Sequence, residues 1–314
     1  MKASVSVLVK TKDMGKSEWL EWRRKGIGGS DAAAVAGLNP WKSPIEVYLE
    51  KIGEIPEPED NEKMYWGRIL EDIVAKEFAL RTGKKVRRRN FMLRHPKYEF
   101  MIANIDRELV GEKVGLECKT VSEYGKSEWE GDKIPDQYII QCQHYMAVTG
   151  YEGWWIAALI GGNKFIYKYI ERDEEIIQYL IKLESDFWKM VEERTPPPLD
   201  GSKSSENILK LLYPEAAEGT EIELPEEVEE LIVARENIKA QIKKLETKQS
   251  EIENKIKAML KENEVGRTPK YIVSWKTYSR TSIDSEKLKI EQPEIYKKYS
   301  RVSTYRKFDV REVK

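Results

Sequence analysis

The chain is short of the residues that build redox and zinc centres: two cysteines, Cys118 and Cys142, and two histidines, His95 and His144, in 314 residues. Two cysteines cannot hold a four-cysteine zinc or iron–sulfur cluster, and they make no disulfide framework. Two histidines are too few for a histidine-built zinc centre. Net charge is nearly absent as well. Fifty-four Lys and Arg against 55 Asp and Glu give −1, which excludes a uniformly basic nucleic-acid coat but not local basic patches. No apolar run approaches the ~20 residues of a membrane helix, and MKASVSVLVKTKDMG at the start lacks the apolar core and cleavage site of a secretory signal. The expected address is the cytoplasm, with no membrane partner.

What is present is charge in quantity, 35% of residues, beside 40% hydrophobic and 10% aromatic residues. That mixture excludes a disordered chain and points to long solvated faces or an extended helix. Three hundred residues suit about two domains. The expected divisions are a first domain over 1–196, a linker over 197–222, a long heptad helix over 223–264 and a small basic module over 265–314. The linker is announced by TPPPLDGSKSSE (195–206). From Leu224 apolar residues recur at alternating steps of four and three, through Val228, Leu231, Ile238, Ile242, Leu245, Ile252, Ile256 and Met259. Arg235 and Gln249 fill the skipped places, and Gly266 is the expected stop. Such a coiled-coil-like stripe needs another helix against it, in the same chain or another subunit. The last fifty residues carry thirteen basic and six acidic side chains. YIVSWKTYS and STYRKFDVREV alternate like strands there, giving a small α+β module that either caps the long helix or meets DNA.

In the first domain, helices are expected around SEWLEWRRK, SDAAAVAGL, SPIEVYLEKIG, 65–82, DQYIIQCQHYMAVTG and from ERDEEI to Arg194. Strands are expected at VRRRNFMLRHP, EFMIANID, VGLECKTV, YEGWWIAALIGG and KFIYKYI, with a turn around RELVGEK. Helices before and after a mixed sheet make an α/β (α+β) domain. Asp106 ends one strand. Glu117 and Lys119, two apart on the next, point to one face while Leu116 and Cys118 point to the other. If the strands pair, Asp106 and Glu117 converge into a hard-oxygen pocket suited to one or two Mg²⁺ or Mn²⁺ ions, with an ammonium beside it. The competing reading is a salt-bridged hairpin. Glu71 sits on a helix ahead of the sheet. Tyr138, Gln141, His144 and Tyr145 share one helix stripe, with Gln143 off it. Arg23 lies seven residues before Ser30, across a glycine turn entering a helix. That arrangement offers backbone N–H groups to a phosphate, or is an ordinary helix cap.

Through W-x-x-x-R-x(6)-S, W-G-x-x-x-E, D-x(10)-E-x-K and Y-x-x-Q-x-Q, in that order over about 17–194, the chain resembles the phage recombinase exonucleases. This is the YqaJ-type viral recombinase family, similar to phage lambda exonuclease. The resemblance implies a restriction-endonuclease-like core. It implies that Asp106 and Glu117 bind metal with Glu71, that Lys119 and Gln141 are catalytic beside them, and that Arg23 and Ser30 hold a DNA 5′-phosphate. It further implies 5′→3′ hydrolysis of double-stranded DNA ends in the cytoplasm of a bacterium or phage host, with a single-strand annealing protein as partner. It implies a homo-oligomeric, ring-shaped trimer as well, although the heptad arm could instead impose a dimer or tetramer. Ile105 stands where the family usually has proline, and an upstream acid of lambda exonuclease has no counterpart near Pro96. Lys84, Lys85, Arg87, Arg88 and Arg89 form either a DNA-tracking wall or a solvated strand edge. Trp41, in GLNPWKSP, either packs on the domain or wedges DNA; Trp154 and Trp155 are expected in the core. An endonuclease of the same fold and a non-catalytic DNA-end-binding or assembly protein are the alternative functions.

Overall fold

A computed structural model describes residues 5–56 and 60–311. They divide into two compact units, Met1–Leu212 and Tyr213–Lys314. The first unit runs β1 (Ser6–Lys10), α1 (Lys16–Arg24), α2 (Gly29–Val35), α3 (Pro44–Ile52), α4 (Glu62–Thr82), β2 (Val86–Arg87), β3 (Phe91–Arg94), β4 (Ile102–Ala103), β5 (Arg107–Leu109) and β6 (Val114–Val121). It continues with α5 (Asp136–Thr149), β7 (Gly153–Ile160), β8 (Lys164–Glu171), α6 (Glu174–Glu192) and α7 (Lys203–Leu212).

The central sheet has the order β2-β5-β6-β7-β8. β6 and β7 are parallel, and every other pair is antiparallel. The parallel pair is joined by α5, as a parallel connection requires. β6 and β7 are the most interior strands, and VGLEC and WIAALI show it as nearly unbroken buried runs. One face of the sheet is covered by α4, whose Val74, Ala75 and Phe78 meet Leu109, Val114 and Leu116. On the other face Tyr145 and Met146 of α5 and Ile177 of α6 pack with Trp154, Ile156 and Ile160. Trp154 is fully buried and Trp155 lies against Phe78, so both tryptophans belong to the interior. The fold is thus a mixed α/β sandwich of helices about a mixed sheet.

Local chemistry sets the helix ends. Asn61 caps α4 by accepting from the Met64 N–H, one turn ahead of the expected start at 65. Gly83 ends α4 at φ 70° and Gly150 ends α5 at φ 68°, a left-handed conformation that glycine adopts without a Cβ penalty.

Three strand expectations are corrected. VRRRNFMLRHP is not one strand but two, β2 and β3, in different sheets, since β1, β3 and β4 form a separate antiparallel sheet. EFMIANID shrinks to Ile102–Ala103, and Asp106 therefore lies on the crossover between sheets rather than at a strand end. The expected turn around RELVGEK is confined to 110–113: Arg107–Leu109 is the strand that pairs with β6, so the hairpin is tighter than the sequence suggests. Ile105, in the place where proline is usual, is buried with Leu93 and Met101.

Within the stretch expected to be linker, α7 forms and docks on α3. The Ser204 hydroxyl accepts from the Ser43 N–H at 3.0 Å, and Ile208 is buried.

The second unit consists of α8 (Glu227–Leu260), the hairpin β9 (Val265–Arg267) and β10 (Ile272–Ser274), α9 (Ser285–Glu291) and α10 (Pro293–Tyr299). α8 stops at Leu260, ahead of Gly266; that glycine instead leaves room for the Leu260 side chain. The expected strand in STYRKFDVREV does not form through Arg311; the rest of it lies outside the described residues.

Candidate active site

The chemistry-bearing residues come from four elements that meet at one edge of the parallel pair. β6 carries Glu117 and Lys119 on the face toward α5. Glu117 is 3% exposed in the interior of the sheet, where its carboxylate is held by two neighbours. Lys119 Nζ lies 2.6 Å from Oε1, and Gln141 Nε2 of α5 donates to the same oxygen at 2.8 Å. Lys119 also donates to Gln141 Oε1 at 3.1 Å, closing a three-membered polar ring. Tyr145, one helical turn beyond Gln141, accepts from Gln141 Nε2 at 3.0 Å, and the Tyr138 ring lies 4.9 Å from Lys119 Nζ. The i, i+3, i+7 stripe on α5 thus delivers Tyr138, Gln141 and Tyr145 to one place.

Gln143 and His144 serve the scaffold instead. Gln143 donates to the Glu171 carbonyl and accepts from the Asp173 N–H, tying β8 to the start of α6. His144 bridges Glu184 of α6 and the Ile102 carbonyl of β4.

Asp106 arrives from the crossover before β5, and its Oδ2 accepts from the Cys118 N–H at 2.8 Å. Burial pushes its carboxyl well above the usual aspartate range. Glu117 and Glu71 add to the rise, against the opposing pull of Lys119 and the Cys118 N–H. Lys119 is the converse case: burial would lower it, but Glu117 and Asp106 together hold it above the usual lysine value, so it stays an ammonium. Glu117 Oε2 is buried without any hydrogen-bond partner. Converging carboxylates with an orphaned oxygen are what a hard cation relieves. Asp106 and Glu117 fit a divalent ion on that ground.

Glu71 is brought near but held apart. Arg107 Nη1 donates to Glu71 Oε1 at 2.5 Å and to the Asp106 carbonyl at 2.5 Å, while its Nη2 pairs with Asp72. Among the described residues no three His, Cys, Asp or Glu side chains already form a closed metal cage. Glu71 would join the two sheet acids only by exchanging Arg107 for the cation. Beside Asp106, Glu71 and Arg107 opens a groove of about 310 Å³ that is also lined by Arg68, Arg88 and Arg89.

The basic run is less free than its sequence implies. Lys84 pairs with Glu112, Arg88 with Asp72, and Arg87 and Arg89 both with Glu108; Lys85 is exposed. Trp41 is 66% exposed rather than packed into the domain.

Arg23 and Ser30 do come together, Nη2 to Oγ at 3.1 Å. Between them the sequence reading missed a hub. Asp31, fully buried, takes Arg23 at 2.9 Å, Lys42 at 3.1 Å and Lys51 at 2.7 Å. Burial would raise the Asp31 carboxyl, but the three cations hold it well below the usual range, and burial brings Lys51 down to about 8. A cavity of about 100 Å³ is lined by Arg23, Arg24, Lys42 and Lys51, with Glu50 the acid at its wall. Lys42 and Lys51 come from distant positions and no local spacing announces them; only the Asp directly after Ser30 was a signal. α2 connects this cavity to the polar ring. Gly29 lies so close to the Tyr145 ring that an added Cβ would sit 2.4 Å from it.

Known proteins resemble this chain in sequence and in fold. The YqaJ-like viral recombinase domain matches residues 18–152. Over 311 residues, 98% of each chain, the protein is 47% identical to YqaJ of Bacillus subtilis (strain 168). Its fold is similar to the crystal structure of an alkaline exonuclease (LHK-Exo) from Laribacter hongkongensis, with a TM-score of 0.50 at 21% identity over 57% of this chain and 94% of that one. LHK-Exo in complex with dAMP gives the same TM-score over 63% and 98% of the two chains. The chain belongs to the YqaJ-like viral recombinase family.

Proposed function

We propose that the protein is a metal-dependent DNA exonuclease, degrading double-stranded ends 5′→3′ in phage-type homologous recombination. The observation that carries this reading is the meeting of Asp106, Glu117, Lys119 and Gln141 around an unpartnered buried carboxylate oxygen. Fold similarity to an alkaline exonuclease and membership of a recombinase family support it.

Asp106 and Glu117, joined by Glu71, would hold one or two Mg²⁺ or Mn²⁺ ions. When bound, such an ion supplies Lewis-acid stabilisation to a phosphodiester and makes water more acidic. Lys119, kept protonated by its acids, offers positive charge to the phosphate and is not a general base. Gln141 fixes both Lys119 and Glu117, so a phosphate at the ring meets a preset geometry. Arg23 and Ser30, with Lys42 and Lys51 behind them, would take the 5′-phosphate of the end. The products would carry 5′-phosphates. By family resemblance the enzyme works with a single-strand annealing protein as a homo-oligomer in the cytoplasm.

End recognition provides the test. Duplexes with a 5′-phosphate should be degraded faster than 5′-hydroxyl duplexes, by roughly tenfold to a hundredfold for a charge-assisted contact of ~1.5–3 kcal/mol. Arg23→Ala should erase the difference by slowing the phosphorylated ends alone. Equal wild-type rates on both ends would sink the end-binding role.

A further inference from the structure

The 34-residue helix α8 spans about 50 Å, and most of its heptad seam is uncovered within its own unit, with the Phe308 ring lying 5.4 Å from the Arg235 guanidinium. Leu231, Ile238, Ile242, Leu245, Ile252 and Met259 are all at least half exposed. The other helices of this unit, α9 and α10, have seven residues each and are too short to cover such a stripe.

Charge and seam composition select the partner. In heptad terms Arg235, Ile242 and Gln249 stand at a positions, and Ile238, Leu245 and Ile252 at d positions. A parallel pairing of two copies would stack Arg235 on Arg235 and lay the acidic first turn, Glu227, Glu229 and Glu230, on itself. An antiparallel pairing removes both conflicts. The midpoint of α8 falls between Lys243 and Lys244, and reflection through it sends every a position onto a d position. Ile242 then meets the partner's Leu245, Arg235 meets the partner's Ile252, and Gln249 meets the partner's Ile238. The acidic N-terminal turn comes to lie beside the partner's C-terminal turn, where Glu230 reflects onto Lys257, with the helix dipoles opposed. At the flanks Lys239 faces the partner's Glu246, twice by symmetry.

We infer that α8 is a self-association arm, pairing antiparallel and in full register with α8 of a second copy of this chain. The inference stands apart from the nuclease chemistry, and its test reads no activity.

Full-length protein carrying Val228→Cys, Met259→Cys, or both in one chain is oxidised under mild conditions and resolved by mass, with the unsubstituted protein as background. The doubly substituted chain, and a mixture of the two singles, should form disulfide-linked dimers, because these positions coincide only in the antiparallel register. Each single variant should stay unlinked, its thiols about 45 Å apart. Linking by each single variant alone would show a parallel pair, and no linking in the mixture would show no pair; either overturns the inference. As a check that does not depend on cysteine, Lys239→Glu should weaken self-association at least tenfold in sedimentation, and Lys239→Glu with Glu246→Lys should restore it. Unchanged sedimentation in Lys239→Glu would also overturn the antiparallel register.

Discussion

Arg107 grips Glu71 from the start of β5, Nη1 to Oε1 at 2.5 Å, while the same nitrogen holds the carbonyl of Asp106. One guanidinium thereby ties the helix-borne acid to the crossover that carries Asp106. Lysine has the charge but not the fork, so Arg107→Lys keeps one contact at most. Turnover should fall about tenfold or more, and the Mg²⁺ concentration for half-maximal rate should shift. A Mg²⁺ titration of the two proteins decides it. An unshifted Mg²⁺ dependence would detach Glu71 from the cation site.

Glu117→Gln and Lys119→Ala should both abolish hydrolysis, but they should part company in stability. Glu117→Gln keeps the shape and removes a buried charge with an unpartnered oxygen, so thermal stability should hold or rise. Lys119→Ala strands that charge in the sheet, and a broken buried pair costs about 3–5 kcal/mol. Thermal melts with and without Mg²⁺ read the difference. Equal melting temperatures in the two variants would mean that Lys119 does not neutralise Glu117.

Much of this site was legible because periodicity is local. The two-residue step of β6 put Glu117 and Lys119 on one face, and the three- and four-residue steps of α5 aligned Gln141 with Tyr145. The helix ends at Gly83 and Gly150 follow from single residues. What pattern could not carry was pairing between distant segments. The split of VRRRNFMLRHP between two sheets depends on which strands lie beside β2 and β3, and the strand character of Arg107–Leu109 likewise depends on β6 beside it. The Asp31 hub draws cations from α1, the loop before α3 and α3 itself. Arg107 escaped notice because its importance lies in reaching α4, thirty-six residues back.

The buried pair of His144 and Glu184 gives stability a pH signature. Burial would lower the imidazolium, but Glu184, its hydrogen bond and the Ile102 carbonyl outweigh it, so His144 ends above its ordinary value of 6.5. The carbonyl can only accept, so Nε2 carries a proton, and the pair retains a second proton between its two members. A raised folded-state pKa contributes stability that is fully present below the unfolded value and is lost as pH rises through the folded one. The melting-temperature advantage of wild type over His144→Gln with Glu184→Gln should therefore be largest below pH 6.5 and shrink as the pH is raised. An advantage that grows with pH would reverse the assignment.

The most direct measurement of an end-dependent, cation-dependent nuclease sets linear and covalently closed circular duplexes of one sequence side by side, with Mg²⁺ and with chelator. Linear duplex should disappear in Mg²⁺ alone, releasing 5′-phosphorylated products, while the circle stays intact throughout. Cutting of the closed circle would contradict an exonuclease and promote an endonuclease of the same fold. Loss of linear DNA in chelator would contradict the role of Asp106 and Glu117 in holding a cation.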